Sequence, residues 1–235
     1  MTRTTNARVA GFTFLFYIAA GITSLVLFGR AAGGEGIAAK LASIAQHETD
    51  VRLVVLLGLL MCFSALVLGV TLYALTREVD RDLALLGLIC RVAEGLAGIL
   101  IPGTLALLWL ATATGANAPD TGGAHALGAF LLKMGAWSPA ATFFAVGSTL
   151  FSWLLLRGRM IPVALAWLGV LASVLLVAIL PLQLAGLFGG PATWGSSVTW
   201  LMWLPMLVFE VVLALWLLIK GVAMPTPNVA PSRAD

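Results

Sequence analysis

Six long apolar runs limit what this chain can fold into. Each is close to the length of about 20 residues that a helix needs to cross a bilayer. In lipid the backbone must be hydrogen-bonded within the spanning segment, so helices are expected, and no alternating pattern indicates a barrel. The sequence predicts an all-α fold, a single-domain polytopic membrane bundle over residues 1–222, with transmembrane helices at about 9–29, 51–76, 83–113, 139–156, 161–188 and 198–220.

Charged residues are scarce. Of 235 residues, 61% are hydrophobic and 10% are charged, whereas soluble domains carry about 25% charged residues. The expected surroundings are therefore a lipid bilayer. The net charge of +3 comes from basic residues spread over short loops without forming a patch. We therefore expect no nucleic-acid partner, and the oligomeric state stays open.

The loops differ in positive charge. Lys and Arg gather in alternate loops and near both termini. Cytoplasmic loops of membrane proteins carry such an excess, so we predict a multi-pass protein of the cytoplasmic membrane with both termini in the cytoplasm. The basic residues on the predicted cytoplasmic side are Arg3, Arg8, Arg77, Arg81, Arg157, Arg159, Lys220 and Arg233.

The two ends of the chain need separate interpretations. The first apolar run resembles a signal peptide in its basic start, but signal peptides have an apolar core of about 7–15 residues and this run has about 20. We therefore expect a retained first helix. Residues 223–235 are polar and rich in proline, which predicts a disordered cytoplasmic tail.

A further apolar segment, residues 124–137, precedes the fourth predicted helix. Joined to that helix it would exceed about 30 residues, more than the hydrocarbon core requires. Pro139 also fits the first turn of a helix better than its interior. We predict a separate outer interfacial helix here.

Three charged residues interrupt the apolar runs. At the standard helical rise, Arg91 and Glu94 lie about 13 and 18 Å from the cytoplasmic end of the third predicted helix, and Glu210 lies about 15 Å from that end of the sixth. A charge at mid-helix costs about 2.5–3.5 kcal/mol on insertion scales. Their common depth predicts one buried polar cluster.

The third predicted helix has two unlike faces. One carries branched apolar residues, which suit lipid, and the other carries small residues, which suit contact with a neighbouring helix. The two charged side chains of this helix lie on the small-residue face and should point into the bundle. This face reads Ala84, Gly87, Arg91, Glu94, Gly95, Gly98 and Pro102.

One arginine cannot neutralise two carboxylates. Arg91 can pair with Glu94 on its own helix or with Glu210 across the bundle. Either one glutamate is protonated, or water, a cation or a basic ligand completes the set. The cluster is then either an ion pair that fixes helix packing or a ligand-binding or proton site, and midplane ionisable residues favour the second interpretation.

Prolines recur in the outer parts of three predicted helices, at Pro102, Pro181 and Pro205, and Gln183 lies beside the second. Each proline removes a backbone hydrogen bond and can kink its helix. Kinks toward one side would open a vestibule, although proline is also common in membrane helices.

Four stretches, in this order, resemble the domain-of-unknown-function family 4386, bacterial membrane proteins with about six predicted helices. They are ARVAGFTFLFYIAAGI, TLYALTREVDRDLALLGLICRVAEG, GRMIPVALAWLGVLAS and FEVVLALWLLIKGV, and the resemblance covers roughly residues 7–222. It implies that the Arg91 region, the RMIP turn and the segment from Glu210 to Lys220 belong to the family pattern. It implies no activity. Val163 stands where a basic residue is expected after the proline, which argues against an anion site at this turn.

Three functions remain open. The leading hypothesis is binding or transport of a small or lipophilic molecule at Arg91, Glu94 and Glu210. The second is a membrane enzyme acting on a lipophilic substrate with a buried glutamate as general acid. The third is a non-catalytic membrane subunit with a structural ion-pair cluster. No Walker loop, H-E-x-x-H, paired C-x-x-C or G-x-S-x-G occurs, and with two histidines and two cysteines we expect no metal and no cofactor.

Overall fold

The computed structural model of the protein describes residues 1–99, 103–115, 118–134, 139–187 and 197–224. Within these residues it has nine α-helices and no strand, which confirms the predicted all-α fold. The helices are α1 (Arg3–Ala31), α2 (Gly36–Gln46), α3 (Glu48–Thr76), α4 (Arg81–Ile99), α5 (Gly103–Thr112), α6 (Thr121–Met134), α7 (Pro139–Arg157), α8 (Val163–Leu184) and α9 (Ser197–Ile219).

The long helices form a closed ring. In chain order α1, α3, α4, α7, α8 and α9 each contact the next, and α9 returns to contact α1. Small and apolar side chains of these helices fill one continuous core inside the ring. A side chain that points inward from any of the six is therefore surrounded by protein rather than by lipid.

Five helices of the described residues are long and apolar enough to cross a membrane, namely α1, α3, α7, α8 and α9. The chain is therefore a multi-pass membrane protein. The helix α4 has 19 residues, about 28 Å at the helical rise, which is close to the thickness of the hydrocarbon core. It carries four charged residues, more than any of the other five long helices, so the sixth span stays a prediction although α4 packs between α3 and α7.

The sequence predicts one continuous helix over 83–113. The structure describes helix at both ends of that range, in Arg81–Ile99 and in Gly103–Thr112. Residues 100–102, including Pro102, lie outside the described part of the chain, so the continuity of this helix stays a prediction. The second helix, α5, contacts α2, α3 and α6.

Three short helices, α2, α5 and α6, pack together beside the end of α1 and the start of α3. They share a second, smaller apolar core, so we call them the cap. The helix α6 occupies most of the segment predicted as an outer helix, with residues 135–137 outside the described residues. The helix α2 was not predicted. The buried residues of the cap core are Ala31, Leu41, Ile44, Val51, Leu107, Leu108 and Leu110.

Polar contacts fix the opposite end of the ring. The Asp80 carboxylate accepts a hydrogen bond from the Leu83 N–H at 3.2 Å, which caps the start of α4, and another from Arg157 of α7 at 3.0 Å. Arg3 of α1 donates to the Glu78 carboxylate at 3.1 Å. These contacts hold the ends of α1, α4 and α7 in register.

The predicted tail begins with a contact. The Ala223 N–H donates to the Met160 carbonyl at 2.9 Å, so the chain is held against the turn before α8 after α9 has ended. Residues 225–235 lie outside the described residues, and disorder there stays a prediction.

Close helix contacts depend on glycine. A Cβ at Gly11 of α1 would lie 2.6 Å from the Ala214 carbonyl oxygen of α9, and one at Gly169 of α8 would lie 2.4 Å from the Phe209 ring. Real Cβ atoms do not approach this closely, so both contacts need a residue without a side chain.

We expect Gly11→Ala to lower the free energy of unfolding by about 1–3 kcal/mol, because its methyl group overlaps the α9 backbone. Thermal unfolding in detergent measures this. Gly58→Ala is the matched control, because Gly58 lies within α3 with no atom within 4 Å of an added Cβ. Equal melting temperatures for both variants would contradict the close packing of α1 on α9.

Candidate functional site

Arg91 lies at the centre of the ring. Its side chain is 1% exposed, and it belongs to the inner face of α4. The small residues Ala84, Gly87 and Gly95 are buried on the same face, while Leu85, Leu86, Ile89 and Leu96 are exposed on the other. The structure therefore places Arg91 and Glu94 inside the bundle, as the pattern of α4 predicts.

Two glycines make room for the arginine. A Cβ at Gly69 of α3 would lie 3.0 Å from the Arg91 Cβ. A Cβ at Gly147 of α7 would lie 3.1 Å from the Cys90 Cβ and 3.8 Å from the Arg91 Cδ. The neighbouring helices can therefore approach α4 closely on both sides, which removes the guanidinium from lipid.

Glu94 is the close partner of Arg91. The Arg91 Nη1 donates to the Glu94 Oε2 at 2.6 Å, one helical turn along α4. The Tyr17 hydroxyl of α1 donates to the other carboxylate oxygen, Oε1, at 2.7 Å. Both oxygens of this buried carboxylate therefore have a donor, as burial of a charge requires.

Tyr17 was not predicted as a site residue. Tyr17 lies about 14 Å along α1 from Arg8, deep in an apolar helix, at the standard rise. A single hydroxyl in an apolar run carries no periodic signal, and a tyrosine is ordinary in such a helix. Only its depth, which matches that of the charged cluster, indicates a polar partner.

Glu210 of α9 is held more loosely. Its Oε1 lies 3.9 Å from the Arg91 Nη2, an ion pair that is too long for a hydrogen bond. The residue is 5% exposed, and this oxygen has no hydrogen-bond partner among the described residues. The Arg91 Nε, a donor, is also without a partner there. The structure thus brings all three predicted residues together. Among the described residues, Glu94 has a hydrogen-bond donor for each carboxylate oxygen, whereas the Glu210 Oε1 has none.

Aromatic rings cover the guanidinium. The Arg91 Cζ lies 5.0 Å from the centroid of the Phe144 ring of α7 and 5.8 Å from that of the Phe14 ring of α1. A cation this close to a ring face is attracted by its quadrupole. The rings therefore stabilise the buried charge and also exclude water from it.

A small cavity lies beside Arg91 and Glu210. Its volume is about 10 Å³, close to the minimum that one water molecule needs. Besides Arg91 and Glu210, only Ser148 and Ser152 of α7 bring side-chain polar groups to the wall, and its other lining residues are apolar. The lining residues are Phe14, Leu72, Arg91, Ser148, Phe151, Ser152, Leu155, Met206, Phe209, Glu210 and Leu213.

The vestibule predicted from the prolines is tested only in part. Pro181 lies within α8 and Pro205 within α9, whereas Pro102 lies outside the described residues. Gln183, near the end of α8, is 3% exposed. The Gln183 side chain is therefore packed against protein in this conformation, and a vestibule stays a prediction.

A model of the family described as a domain of unknown function (DUF4386) matches residues 9–221. The matched segment covers nearly all of the ring and includes Tyr17, Arg91, Glu94 and Glu210. No curated protein and no solved structure matches the chain. The resemblance found in the sequence is therefore confirmed, and with it the membrane character of the chain.

We expect Tyr17→Phe to lower the free energy of unfolding by about 1.5–3 kcal/mol, because it removes a hydrogen bond to a buried charged group. The melting temperature in detergent measures the effect. Tyr73→Phe is the control, because Tyr73, the second of the two tyrosines, donates no side-chain hydrogen bond within the described residues. If both variants melt together, the Tyr17 hydroxyl does not support Glu94.

Proposed function

Because this chain belongs to the DUF4386 family, whose description assigns no activity, we propose its function from the buried site. The protein binds a small amine, in its positively charged ammonium form, at Glu210 as the amine crosses the membrane. Tyr17, Glu94 and Arg91 form the scaffold of the site. Glu210 and the cavity beside it form the part that a ligand occupies.

The Glu210 Oε1 carries this proposal. It is a buried carboxylate oxygen without a hydrogen-bond partner among the described residues, and it lies at a cavity in the middle of a ring of helices. An unmade hydrogen bond at a buried group costs about 1–3 kcal/mol, and more when the group is charged. An ammonium group supplies both of the missing features, an N–H donor and a positive charge.

The charge balance supports the same ligand. With Arg91 and both glutamates ionised, the cluster carries a net charge of −1. A monovalent cation makes it neutral, which a buried cluster in lipid requires. With a neutral ligand, a proton on one glutamate would have to balance the cluster instead.

The lining supports an ammonium group over a metal ion. Calcium takes about 6–8 oxygen ligands, whereas this wall is mainly apolar and aromatic. Within the described residues no group of three or more His, Cys, Asp or Glu side chains could hold a metal ion. Faces of aromatic rings such as Phe14, Phe151 and Phe209 attract ammonium groups, and the Ser148 hydroxyl can accept an N–H.

The cavity limits the size of the ligand. Room for about one water molecule suits ammonium itself, and methylammonium requires a small displacement of the wall. Met206 lines the cavity, and its unbranched thioether adapts readily to a changed volume. Larger lipophilic amines require the helices to separate.

We also propose that the protein lies in the cytoplasmic membrane with both termini in the cytoplasm. Arg77, Arg81, Arg157 and Arg159 lie at one end of the ring, the end at which α3 and α7 finish. Such an excess of basic residues supports a cytoplasmic location for that end. The cap then lies on the outer side.

We expect Glu210→Gln to weaken binding of methylammonium by roughly 30-fold or more, because loss of one partner of a buried charge pair costs about 2 kcal/mol or more. Binding of the radiolabelled amine to purified protein in detergent and its uptake into proteoliposomes are the measurements. The variant keeps the size of the side chain, so we expect little change in melting temperature.

Glu78→Gln is the matched control, because Glu78 is exposed and pairs with Arg3 far from the cavity. It should bind methylammonium as the wild type does. The proposal is wrong if the wild-type protein shows no saturable binding of ammonium or methylammonium. It is also wrong if Glu210→Gln binds them with unchanged affinity, which would leave the cluster a structural ion pair.

A further inference from the structure

Two more buried side chains have a polar atom without a partner. Gln183 of α8 is 3% exposed and Thr199 of α9 is 1% exposed. The Gln183 Oε1 and the Thr199 Oγ1 have no hydrogen-bond partner in the part of the chain that the structure describes. Buried polar atoms usually have a hydrogen-bond partner, so two such atoms without a partner near each other in the fold need an explanation.

Both residues lie at the same end of the ring. Gln183 belongs to the last turn of α8, which ends at Leu184, and Thr199 belongs to the first turn of α9, which begins at Ser197. The two helices are neighbours in the ring and follow each other in the chain. The end of α8 and the start of α9 therefore lie together, at the end of the ring opposite the Arg157 turn.

Thr199 shares a face of α9 with Glu210. Thr199, Met202, Met206 and Glu210 are all buried and follow one another at spacings of three or four residues. Such spacing places them on one side of a helix. Thr199 and Glu210 are about 16 Å apart along the axis at the standard rise, with two methionines between them.

The segment between these polar residues is suited to movement. Methionine side chains are unbranched and adopt many conformations, so Met202 and Met206 can yield without a change in the backbone. Pro181 in α8 and Pro205 in α9 each remove a backbone hydrogen bond, which lowers the cost of bending the helix there. In this conformation both methionines are buried, on the face of α9 between Thr199 and Glu210.

We infer that Gln183 and Thr199 form an outer binding site for the same ammonium group that Glu210 binds, on a route that follows the inner face of α9 past Met202 and Met206. This inference rests on the proposed function. The three unpartnered oxygen atoms, Gln183 Oε1, Thr199 Oγ1 and Glu210 Oε1, are all acceptors, and an ammonium group is a donor only. The outer pair is neutral, so it holds the cation more weakly than the carboxylate and releases it toward Glu210.

Thiol labelling tests the route. In a variant in which Cys62 and Cys90 are replaced by Ala, Thr199→Cys is treated with a membrane-impermeant methanethiosulfonate that carries a trimethylammonium group. The thiol reacts only while the outer path is open, so the rate reports that open state. We expect labelling in right-side-out membrane vesicles, faster than in inside-out vesicles.

Val51→Cys in the same background is the matched control, because Val51 is 0% exposed in the cap core and does not lie between α8 and α9. Labelling of Thr199→Cys should exceed that of Val51→Cys by roughly tenfold or more, if the route opens while the cap stays packed. Equal labelling of the two, or faster labelling of Thr199→Cys in inside-out vesicles, would overturn the outer route.

Transport tests the role of the site. Thr199→Val, which keeps the shape but removes the acceptor, should slow uptake of methylammonium into proteoliposomes while its affinity in detergent stays unchanged. Ser173→Ala is the control, because the Ser173 hydroxyl of α8 is buried but already donates to the Gly169 carbonyl at 2.7 Å. Unchanged uptake by Thr199→Val would overturn the outer site.

These results separate the two proposals. If wild-type protein takes up methylammonium but Thr199→Cys stays unlabelled, the outer site is wrong and the function of Glu210 stands. If Thr199→Cys is labelled from the outer side but the wild type binds no amine, the ammonium assignment is wrong for both sites.

Discussion

The burial of one guanidinium group constrains the rest of this structure. Arg91 cannot release its proton to become neutral, so its charge must be matched wherever the helix places it. Glu94 matches it from the same helix, and Tyr17 completes the contacts of Glu94 from α1. The glycines of α3 and α7 that lie against α4 let the ring close around the charge. The helices α1, α3, α4 and α7 are thus packed around this one side chain.

The two glutamates have different roles, although the sequence makes them look alike. Glu94 has a donor on each oxygen, which is the state of a structural ion pair. Glu210 lies 3.9 Å from Arg91 and has an oxygen without a partner among the described residues. The geometry of Glu94 is that of a structural ion pair, whereas the geometry of Glu210 supports the proposed binding role.

Much of this site follows from the sequence because its signals are periodic. The small residues around Arg91 and Glu94 repeat at helical spacing, so the inward direction of both side chains can be predicted from α4 alone. Glu210 lies at a similar depth along its own helix, which predicts that it joins Arg91 and Glu94. Tyr17 is missed because one hydroxyl in an apolar helix has no period. The two hydrogen bonds to Glu94 and the 3.9 Å separation of Glu210 from Arg91 depend on ångström distances that no pattern encodes.

The position of each partner along the chain also sets the order in which the ribosome supplies it. Tyr17 is synthesised before Arg91, and Glu94 follows Arg91 within the same helix, whereas Glu210 belongs to α9, the last of the described helices. The α4 segment can therefore leave the insertion machinery with its charge already paired. The helix α9 adds the second carboxylate after the guanidinium and its close partner have been synthesised. The order of the chain thus supplies Tyr17, Arg91 and Glu94 first, and Glu210 comes with the helix whose contact with α1 closes the ring.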